Sequence, residues 1–419
     1  MKKVIYIAFN FNDDNGIALK RLRGVSKYLP SFGWQPIVIV PRTSNKTAKI
    51  DNVRVVETDY QDMISRFLPN SKSDTDEKKE VDSKNQSNKF VSKAMSLAGE
   101  IFAYPDSMKY WRKPAFEAAS EIIENEKIDA ILSTSSPVTS HLVAHDLNEK
   151  YGIPWAADLR DLWNLNPYIN HNPIRRHFEK RLEMKTFKNA SALTTTTELA
   201  KKTLQGIHPD KKIVSVVSGF DPEDFKITKQ TVESENLTLM YAGSLYSGKR
   251  DPSILFDAIS QLISENKIDN EKIIVDFYGD TGNLEELSEK YNIKNNVNIH
   301  GRITYPEVLQ HQMNADVLLL ISWMDESEKI FIPGKIYDCI GCRKPILSIG
   351  YKEGSLKELI EKTNIGYHIS SVEECKKAVY DYYTKYNENE LKYSGNEFAD
   401  EYSVKNTAKN FSKILEEIT

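Results

Sequence analysis

The second half of the chain opens with the stretch LTLMYAGSLYSGKRDPSILFDAISQLIS, residues 237–264. A short apolar run at residues 237–241 is closed by Gly243, and apolar residues with helical spacing follow at residues 252–264. Such a run, followed by a glycine turn and a helix, is typical of a buried parallel strand that enters a βαβ unit. The stretch therefore predicts an α/β domain built on a parallel sheet.

The same order of strand, polar turn and helix recurs on both sides of this stretch. The first half begins with an apolar run at residues 4–9 and a helical pattern at residues 17–29. Further strands are expected at residues 36–40, 130–133, 153–157, 192–195, 213–217, 273–278, 297–300, 317–321 and 345–348. We therefore predict two Rossmann-like domains, residues 1–218 and 219–400, and a separate C-terminal helix within residues 401–419.

Composition excludes several classes of protein. The formal net charge of the 419 residues is −4, which does not suggest nucleic-acid binding. Only Cys339, Cys342 and Cys375 occur, which fits a reducing compartment better than a disulfide framework. The first apolar run is too short for a secretory signal, and no apolar run is long enough to span a membrane. The predicted location is the cytoplasm, and the polar residues 69–89 are expected to form a mobile loop.

Glycine turns after predicted strands are candidate phosphate sites. Gly243 and Gly248 precede Lys249 and Arg250, so backbone N–H groups and two cations can meet a diphosphate. The spacing is not that of a Walker loop, because Arg250 stands where that loop needs serine or threonine. Gly16, which follows the first strand, can serve an anion at a helix N-terminus. A solvated basic turn and a plain tight turn remain the alternatives.

Two further stretches carry groups suited to a nucleotide sugar. Pro333 and Gly334 open a predicted helix whose N–H groups can meet phosphate, and the Asp338 carboxylate can accept two ribose hydroxyls. Residues 155–163 gather Asp158, Arg160 and Asp161 with tryptophan at a strand end, a combination that suits a sugar. The alternatives are a helix-surface acid at Asp338 and an Arg–Asp pair that pins the loop.

In this order, the motifs resemble those of the glycosyltransferase family 4 superfamily, in particular its bacterial surface-polysaccharide branch. The resemblance covers nearly the whole chain, and the matching stretches are residues 16–34, 133–141, 154–163, 218–221 and 243–250. It implies the GT-B fold, in which two Rossmann-like domains with parallel sheets face each other across a cleft. It also implies that the C-terminal helix crosses back to the N-terminal domain.

The chain departs from the family pattern at two points. Ser244 stands where many members have a phosphate-binding arginine, so Arg250 is expected to compensate. Asp338 falls at the second glutamate of the Glu-x7-Glu motif, which in relatives holds the donor ribose, whereas Ile330 replaces the first. Two nearby glutamates lie out of register, and these are Glu326 and Glu328.

The resemblance implies a retaining glycosyltransferase of the hexosyl or N-acetylhexosaminyl type that needs neither a metal nor another cofactor. The donor is expected to be UDP-linked, and the acceptor a lipid-linked or growing cell-surface glycan. The expected catalytic residues are Arg160, Asp161, Lys249 and Lys335. The expected donor-binding residues are Gly16, Gly243, Ser244, Arg250, Gly279, Pro333, Gly334, Ile336 and Asp338. The expected acceptor-binding residues are Asp158, Trp163, Ser135 and Ser136.

A basic helix is predicted at residues 174–188, with Ile174, Phe178 and Leu182 as its buried stripe. An exposed basic helix can dock on anionic lipid, which here would be the inner face of the plasma membrane. An ordinary solvated helix face is the alternative. For the whole chain, two other activities stay open: a UDP-sugar 2-epimerase of the same fold, and a non-catalytic nucleotide-sugar-binding subunit.

Overall fold

The computed structural model describes residues 1–12, 17–43, 49–60, 104–166, 171–226, 235–246, 248–280 and 282–419. The chain divides into two compact units. The first unit comprises residues 1–196, 201–216 and 408–419, and the second comprises residues 197–200 and 217–407. The loop predicted at residues 69–89 and the predicted donor residue Gly16 lie outside the described residues.

The first unit contains a seven-stranded sheet in which every pair of neighbouring strands is parallel. Its strands are β1 (Lys2–Ile7), β2 (Trp34–Pro41), β3 (Arg54–Thr58), β4 (Ala130–Ser135), β5 (Trp155–Leu159), β6 (Ala192–Thr195) and β7 (Ile213–Ser215). The order β3-β2-β1-β4-β5-β6-β7 reverses direction between β1 and β4. Ligands of open α/β sheets bind at such a switch point, beyond the carboxyl ends of the strands.

Helices connect these strands, as the alternation of apolar runs and helical spacing predicts. They are α1 (Ile17–Tyr28), α2 (Arg112–Asn125), α3 (Thr139–Tyr151), α4 (Pro173–Phe187) and α5 (Glu198–Ile207). The central strands are almost completely buried, and Tyr6 and Trp155 are among the largest fully buried side chains. Burial on both faces explains why these strands read as continuous apolar runs.

The second unit contains a six-stranded parallel sheet of order β10-β9-β8-β11-β12-β13. Its strands are β8 (Leu237–Gly243), β9 (Ile273–Gly279), β10 (Val297–Gly301), β11 (Val317–Ile321), β12 (Ile346–Ile349) and β13 (Gly366–Ile369). Its helices are α6 (Ser253–Ser264), α7 (Leu284–Lys290), α8 (Tyr305–Asn314), α9 (Lys335–Cys342), α10 (Ser355–Thr363) and α11 (Val372–Asn387). The switch point of this sheet lies between β8 and β11.

The last helix, α12 (Val404–Ile418), belongs to the first unit from Ala408 onward. Its side chains Phe411, Ile414 and Leu415 are buried in the core that also contains Val4 and Tyr6. The helix therefore contributes apolar packing to the sheet of the first unit.

The predicted end of β5 is wrong, because β5 continues to Leu159 and places Asp158 inside a strand rather than in the following loop. Asp158 is fully buried there. A carboxylate can be buried when charge and hydrogen bonds compensate its lost hydration, and Arg21 and Thr194 supply both. The pairing partners are distant in sequence, so periodicity alone could not locate the end of this strand.

The buried stripe predicted for the basic helix is also wrong. In α4, Ile174 and Phe178 are 71% and 54% exposed, whereas Glu179 and Glu183 are buried. Polar groups can lie on the inward face because residues from other parts of the first unit form hydrogen bonds with them. The apolar side chains thus lie outside, among the basic residues of the same helix.

Candidate functional site

In the second unit, two predicted donor glycines lie side by side at the carboxyl ends of β8 and β9. Gly243 and Gly279 are partners in the parallel register, with φ angles of +138° and +118°. A Cβ atom on Gly279 would lie 2.5 Å from the Gly243 carbonyl oxygen. Both positions therefore require glycine, because other protein atoms already occupy the space that a Cβ atom would take.

The Lys335 ammonium group occupies the space that Gly243 leaves. A Cβ atom on Gly243 would lie 1.5 Å from Lys335 Nζ. Within the described part of the chain this Nζ is buried without a hydrogen-bond partner, and it lies 4.9 Å from the centroid of the Tyr241 ring. Burial, and after it the charge of Arg250, lowers the pKa of Lys335 to about 8. A buried ammonium group without a hydrogen-bond partner is costly, so an anion beside it would be stabilising.

The two cations that follow the glycine turn are held over aromatic rings. Lys249 Nζ lies 4.6 Å from the centroid of the Trp323 ring, and the Arg250 guanidinium carbon lies 4.3 Å from that of Tyr246. Trp323 follows β11, the strand on the other side of the switch point. Cation–π contacts orient both side chains, and because an aromatic ring does not neutralise a cation, both side chains keep their positive charge.

Ser244 has a structural task in this turn. Its hydroxyl donates to Asp280 Oδ2 at 3.1 Å and accepts from the backbone N–H of Tyr246 at 3.1 Å. Its carbonyl accepts from the Tyr241 hydroxyl at 2.9 Å. Ser244 therefore stabilises the turn that carries Lys249, whereas its direct contact with the donor stays a prediction.

Helix α9 begins at Lys335 with Gly334 as its N-cap, as the sequence predicts. Ile336 N donates to the Pro333 carbonyl at 3.1 Å and closes the first turn. Asp338 is buried within that turn, where Tyr305 donates to its Oδ1 at 3.2 Å. The carboxylate expected to bind the ribose thus lies next to an aromatic hydroxyl that the sequence did not indicate.

The two out-of-register glutamates differ in their surroundings. Glu326 forms an exposed ion pair with Lys329 at 2.9 Å. Glu328 lines a small cavity of the second unit, and the predicted donor residue Pro333 and the imidazole of His368 line the same cavity. Of the two, Glu328 is therefore the one placed beside a predicted donor residue.

In the first unit, four predicted residues come together in one pocket. Ser135, Ser136, Asp161 and Trp163 line it at the carboxyl ends of β4 and β5, where Ser135 pairs in register with Leu159. Val138 and Leu162, which lie beside these residues in the sequence, also line it. The remaining lining residues are Pro105, Asp106, Asn166, His171 and Glu179. The Ser135 hydroxyl is buried, with no hydrogen-bond partner in the described part of the chain.

Asp158 and Arg160 support this pocket from the sheet edge. Arg21 Nη2 and Nε donate to the two carboxylate oxygens of Asp158 at 2.9 and 3.1 Å, and Thr194 donates at 2.7 Å. Burial alone would raise the pKa of the Asp158 carboxyl, but Arg21 and the hydrogen bonds hold it below its usual range. Arg160 Nε donates to the Ser135 carbonyl at 2.7 Å. The predicted acceptor contact of Asp158 stays a prediction, since its carboxylate is buried in this pair.

The inward face of α4 holds the loop that carries Asp161 and Trp163. Glu179 accepts from Trp163 Nε1 at 2.7 Å and from Arg175 Nε at 3.1 Å. Glu183 accepts from the backbone N–H of Asn164 at 3.0 Å. Burial raises the pKa of Glu179, although its hydrogen bonds and Arg175 oppose the shift. Two buried carboxylates thus fix the position of the loop that carries two of the predicted site residues.

Several residues of these two sites were not predicted from the sequence. Trp323 follows a predicted strand, so the rule that sites gather at carboxyl ends gives a usable signal for it. Asp106, Tyr305 and Glu179 lie far along the chain from the motifs that they join, and no spacing rule connects them. Across the described ranges, no three His, Cys, Asp or Glu side chains are arranged to hold a metal ion.

Comparison with known proteins agrees with this architecture. Residues 236–385 match a family model described as Glycosyl transferases group 1, and no curated protein matches the sequence. Sucrose-phosphate synthase from Thermosynechococcus elongatus aligns with a TM-score of 0.66 and 12% identity, over 100% of this chain and 99% of that one. HepE from Anabaena, solved with UDP and glucose, aligns with a TM-score of 0.61 and 13% identity, over 100% of both chains.

A third solved structure, WaaG, a glycosyltransferase involved in lipopolysaccharide biosynthesis, aligns with a TM-score of 0.57 and 12% identity. The alignment covers 98% of this chain and 99% of that one. At such identities the likeness shows the fold, so the chain has the α/β architecture of GT-B glycosyltransferases. Membership of family 4 and of its surface-polysaccharide branch stays a prediction.

Proposed function

We propose that this chain is a glycosyltransferase whose second unit binds a nucleotide-diphosphate sugar and whose first unit binds a glycan acceptor. The match to the Glycosyl transferases group 1 model includes the Gly243 turn, Lys249, Arg250, Lys335 and Asp338. The full-length likeness to glycosyltransferase structures supports the same activity through the fold. A UDP-linked donor is proposed because HepE was solved with UDP and glucose.

The observation that carries this proposal is the buried Lys335 ammonium group beside Gly243, with no hydrogen-bond partner in the described structure. A diphosphate is the anion that the turn suits best, because Arg250 and Lys249 follow in the same turn. As the bond between the sugar and the diphosphate breaks, negative charge grows on the leaving group. A cation that is already in place stabilises this charge without reorganisation.

The acceptor half of the proposal concerns the pocket of the first unit. Asp161 would orient the acceptor hydroxyl, while Ser135, Ser136 and Trp163 bind the remainder of the sugar. Retention at the anomeric carbon, independence from metal ions, and a lipid-linked or growing cell-surface glycan as acceptor belong to this proposal. WaaG, which acts in lipopolysaccharide biosynthesis, supports an acceptor of this class.

The proposal includes a peripheral contact of α4 with an anionic membrane. The outward side chains Ile174, Phe178 and Met184 are 71%, 54% and 48% exposed. The basic residues on the same outer surface are Arg176, Lys180, Arg181, Lys185 and Lys188. Apolar groups surrounded by cations suit the boundary between head groups and acyl chains. No helix within the described ranges is long and apolar enough to cross a membrane.

The test is calorimetric binding of UDP, followed by product analysis with UDP-sugars in the presence and absence of lipid-linked glycans. Lys335→Met should weaken UDP binding at least about tenfold, because a charge-assisted contact is lost. Lys352→Met, at an exposed lysine of the same unit, is the matched control and should bind UDP normally. Unchanged UDP affinity in Lys335→Met would remove Lys335 from the site. Formation of an epimer from UDP-sugar alone would favour the epimerase, and binding without transfer would favour a non-catalytic subunit.

A further inference from the structure

The pocket of the first unit has a charge pattern that bears on the sugar it accepts, and this inference rests on the proposed function. Its lining includes the carboxyl groups of Asp106, Asp161 and Glu179. Among the described residues, no lysine or arginine side chain belongs to that lining. In the second unit, by contrast, Lys249 and Arg250 follow the Gly243 turn and Lys335 lies against it.

Interactions within the first unit hold two of these carboxylates in place. Asp106 accepts from the backbone N–H and the hydroxyl of Thr139 at 2.8 and 2.7 Å. Glu179 is held by Trp163 and by Arg175, whose charge balances it. The described structure gives the Asp161 carboxylate no hydrogen bond. Asp161 is therefore the carboxylate that is available to a ligand.

Two other features of the lining suit a sugar ring. The Ser135 side chain is only 4% exposed, and in the described structure its hydroxyl has no partner. A buried hydroxyl of this kind gains a hydrogen bond when a ligand enters. Pro105, Val138 and Trp163 add apolar surface, on which the C–H face of a pyranose can lie.

We propose that this pocket accepts an uncharged or amino-bearing sugar ring and discriminates against a ring that carries a carboxylate or a phosphate. Asp161 accepts from a hydroxyl or ammonium group of the ring, and Ser135 provides a second hydrogen bond. An anionic substituent would come close to the Asp161 carboxylate, and within the lining it would find no lysine or arginine to pair with. Arg160 and Arg175 lie next to this lining and not in it. Arg160 Nε donates to the Ser135 carbonyl while its charge acts on Asp161, and Arg175 is paired with Glu179.

The experiment uses the full chain and matched methyl glycosides, measured by ligand-observed NMR. Each ring is offered in gluco, galacto and manno forms as the neutral glycoside, the amino sugar and the uronate. In the series that binds, the neutral and amino rings should bind at least about tenfold more tightly than the uronate. Asp161→Asn should reduce the ratio of neutral-ring affinity to uronate affinity at least about threefold. Glu117→Gln is the control, because it removes one exposed carboxylate outside the lining.

Three results would overturn the inference: a uronate that binds as tightly as its neutral partner, an unchanged ratio in Asp161→Asn, or no binding by any of the rings. Binding of UDP to the same samples separates this failure from failure of the proposed function. If UDP binds through Lys335 while the ring preference is reversed, the transferase proposal stands and the assigned acceptor class is wrong.

Discussion

The protonation state of the Lys335 side chain depends on its burial and on the charges near it. Its Nζ atom lies against the glycine backbone of β8 and over the Tyr241 ring, where water solvates it poorly. A lysine in such a place releases its proton more readily, because burial costs the neutral amine less hydration free energy than it costs the charged ammonium group. The sequence could suggest a cation near the diphosphate, but it could not show that this cation is buried.

The lowered pKa of Lys335 predicts that UDP affinity falls as the pH rises. In the free protein the side chain loses its proton near pH 8, whereas a bound diphosphate favours the ammonium form. Affinity should therefore be highest below pH 8 and should drop roughly tenfold or more between about pH 7.5 and about pH 9.5. Calorimetry across this range measures the slope directly.

The control for this pH dependence is Lys335→Met, which removes the titrating group. This variant should bind UDP more weakly, and its UDP affinity should hardly change over the same pH range. If the variant and the natural protein lose affinity with the same slope, a group other than Lys335 titrates.

At the scale of elements, α4 has two faces with different tasks. Its inward face contains Glu179 and Glu183, which hold the loop of Asp161 and Trp163 from within the first unit. Its outward face carries the exposed apolar and basic side chains. Helical periodicity reports only that apolar residues share one side, and it does not tell whether that side is buried. Here the partners of the buried glutamates, which lie elsewhere in the sequence, determine the orientation.

The buried face of α4 predicts a graded response to substitution at Glu179. Glu179→Gln keeps one oxygen for Trp163 Nε1 but removes the charge opposite Arg175, so it should cost about 1–3 kcal/mol of unfolding free energy. Glu179→Leu leaves the Arg175 charge buried without its partner and should cost about 3–5 kcal/mol. Urea unfolding followed by tryptophan fluorescence reports mainly on the first unit, because Trp34, Trp111, Trp155 and Trp163 belong to it.

Positioning by Glu179 also has a kinetic consequence. The acceptor KM should rise in Glu179→Gln, while UDP affinity, which the proposed function assigns to the second unit, stays constant. Glu117→Gln, at an exposed site on α2, serves as the control for both measurements. Equal stability of Glu179→Leu and the natural protein would show that the ion pair and the indole contact are dispensable.

For the whole molecule, local patterns predicted the architecture, whereas contacts between distant segments determined the details of the sites. The short apolar runs and glycine turns predicted parallel strands, and the C-terminal helix expected within residues 401–419 is α12. The pairing of Arg21 with Asp158 joins α1 to β5 across 137 positions of sequence. No periodicity encodes such a pair, which explains why Asp158 was expected in a loop and is found in a strand.

Membrane association is the remaining prediction for the whole molecule, and it follows from the outward face of α4. The full-length protein should sediment with vesicles that contain anionic lipid and not with neutral ones, because each cation near the surface contributes about 1 kcal/mol. The double substitution Ile174→Ser and Phe178→Ser should weaken binding at least about tenfold, since both side chains lose apolar burial. Replacing Lys180 and Arg181 by glutamine should lower affinity and reduce its salt dependence.

The matched controls lie on helices α11 and α12. Tyr380→Ser removes an aromatic side chain that is 44% exposed, and Lys405→Gln removes an exposed cation. Neither should change vesicle binding, because both positions lie outside α4, the helix that makes the proposed contact. If the α4 substitutions and these controls weaken binding equally, the attraction is a general effect of surface residues. If the protein binds neutral vesicles as well as anionic ones, the basic residues of α4 are not what attracts it.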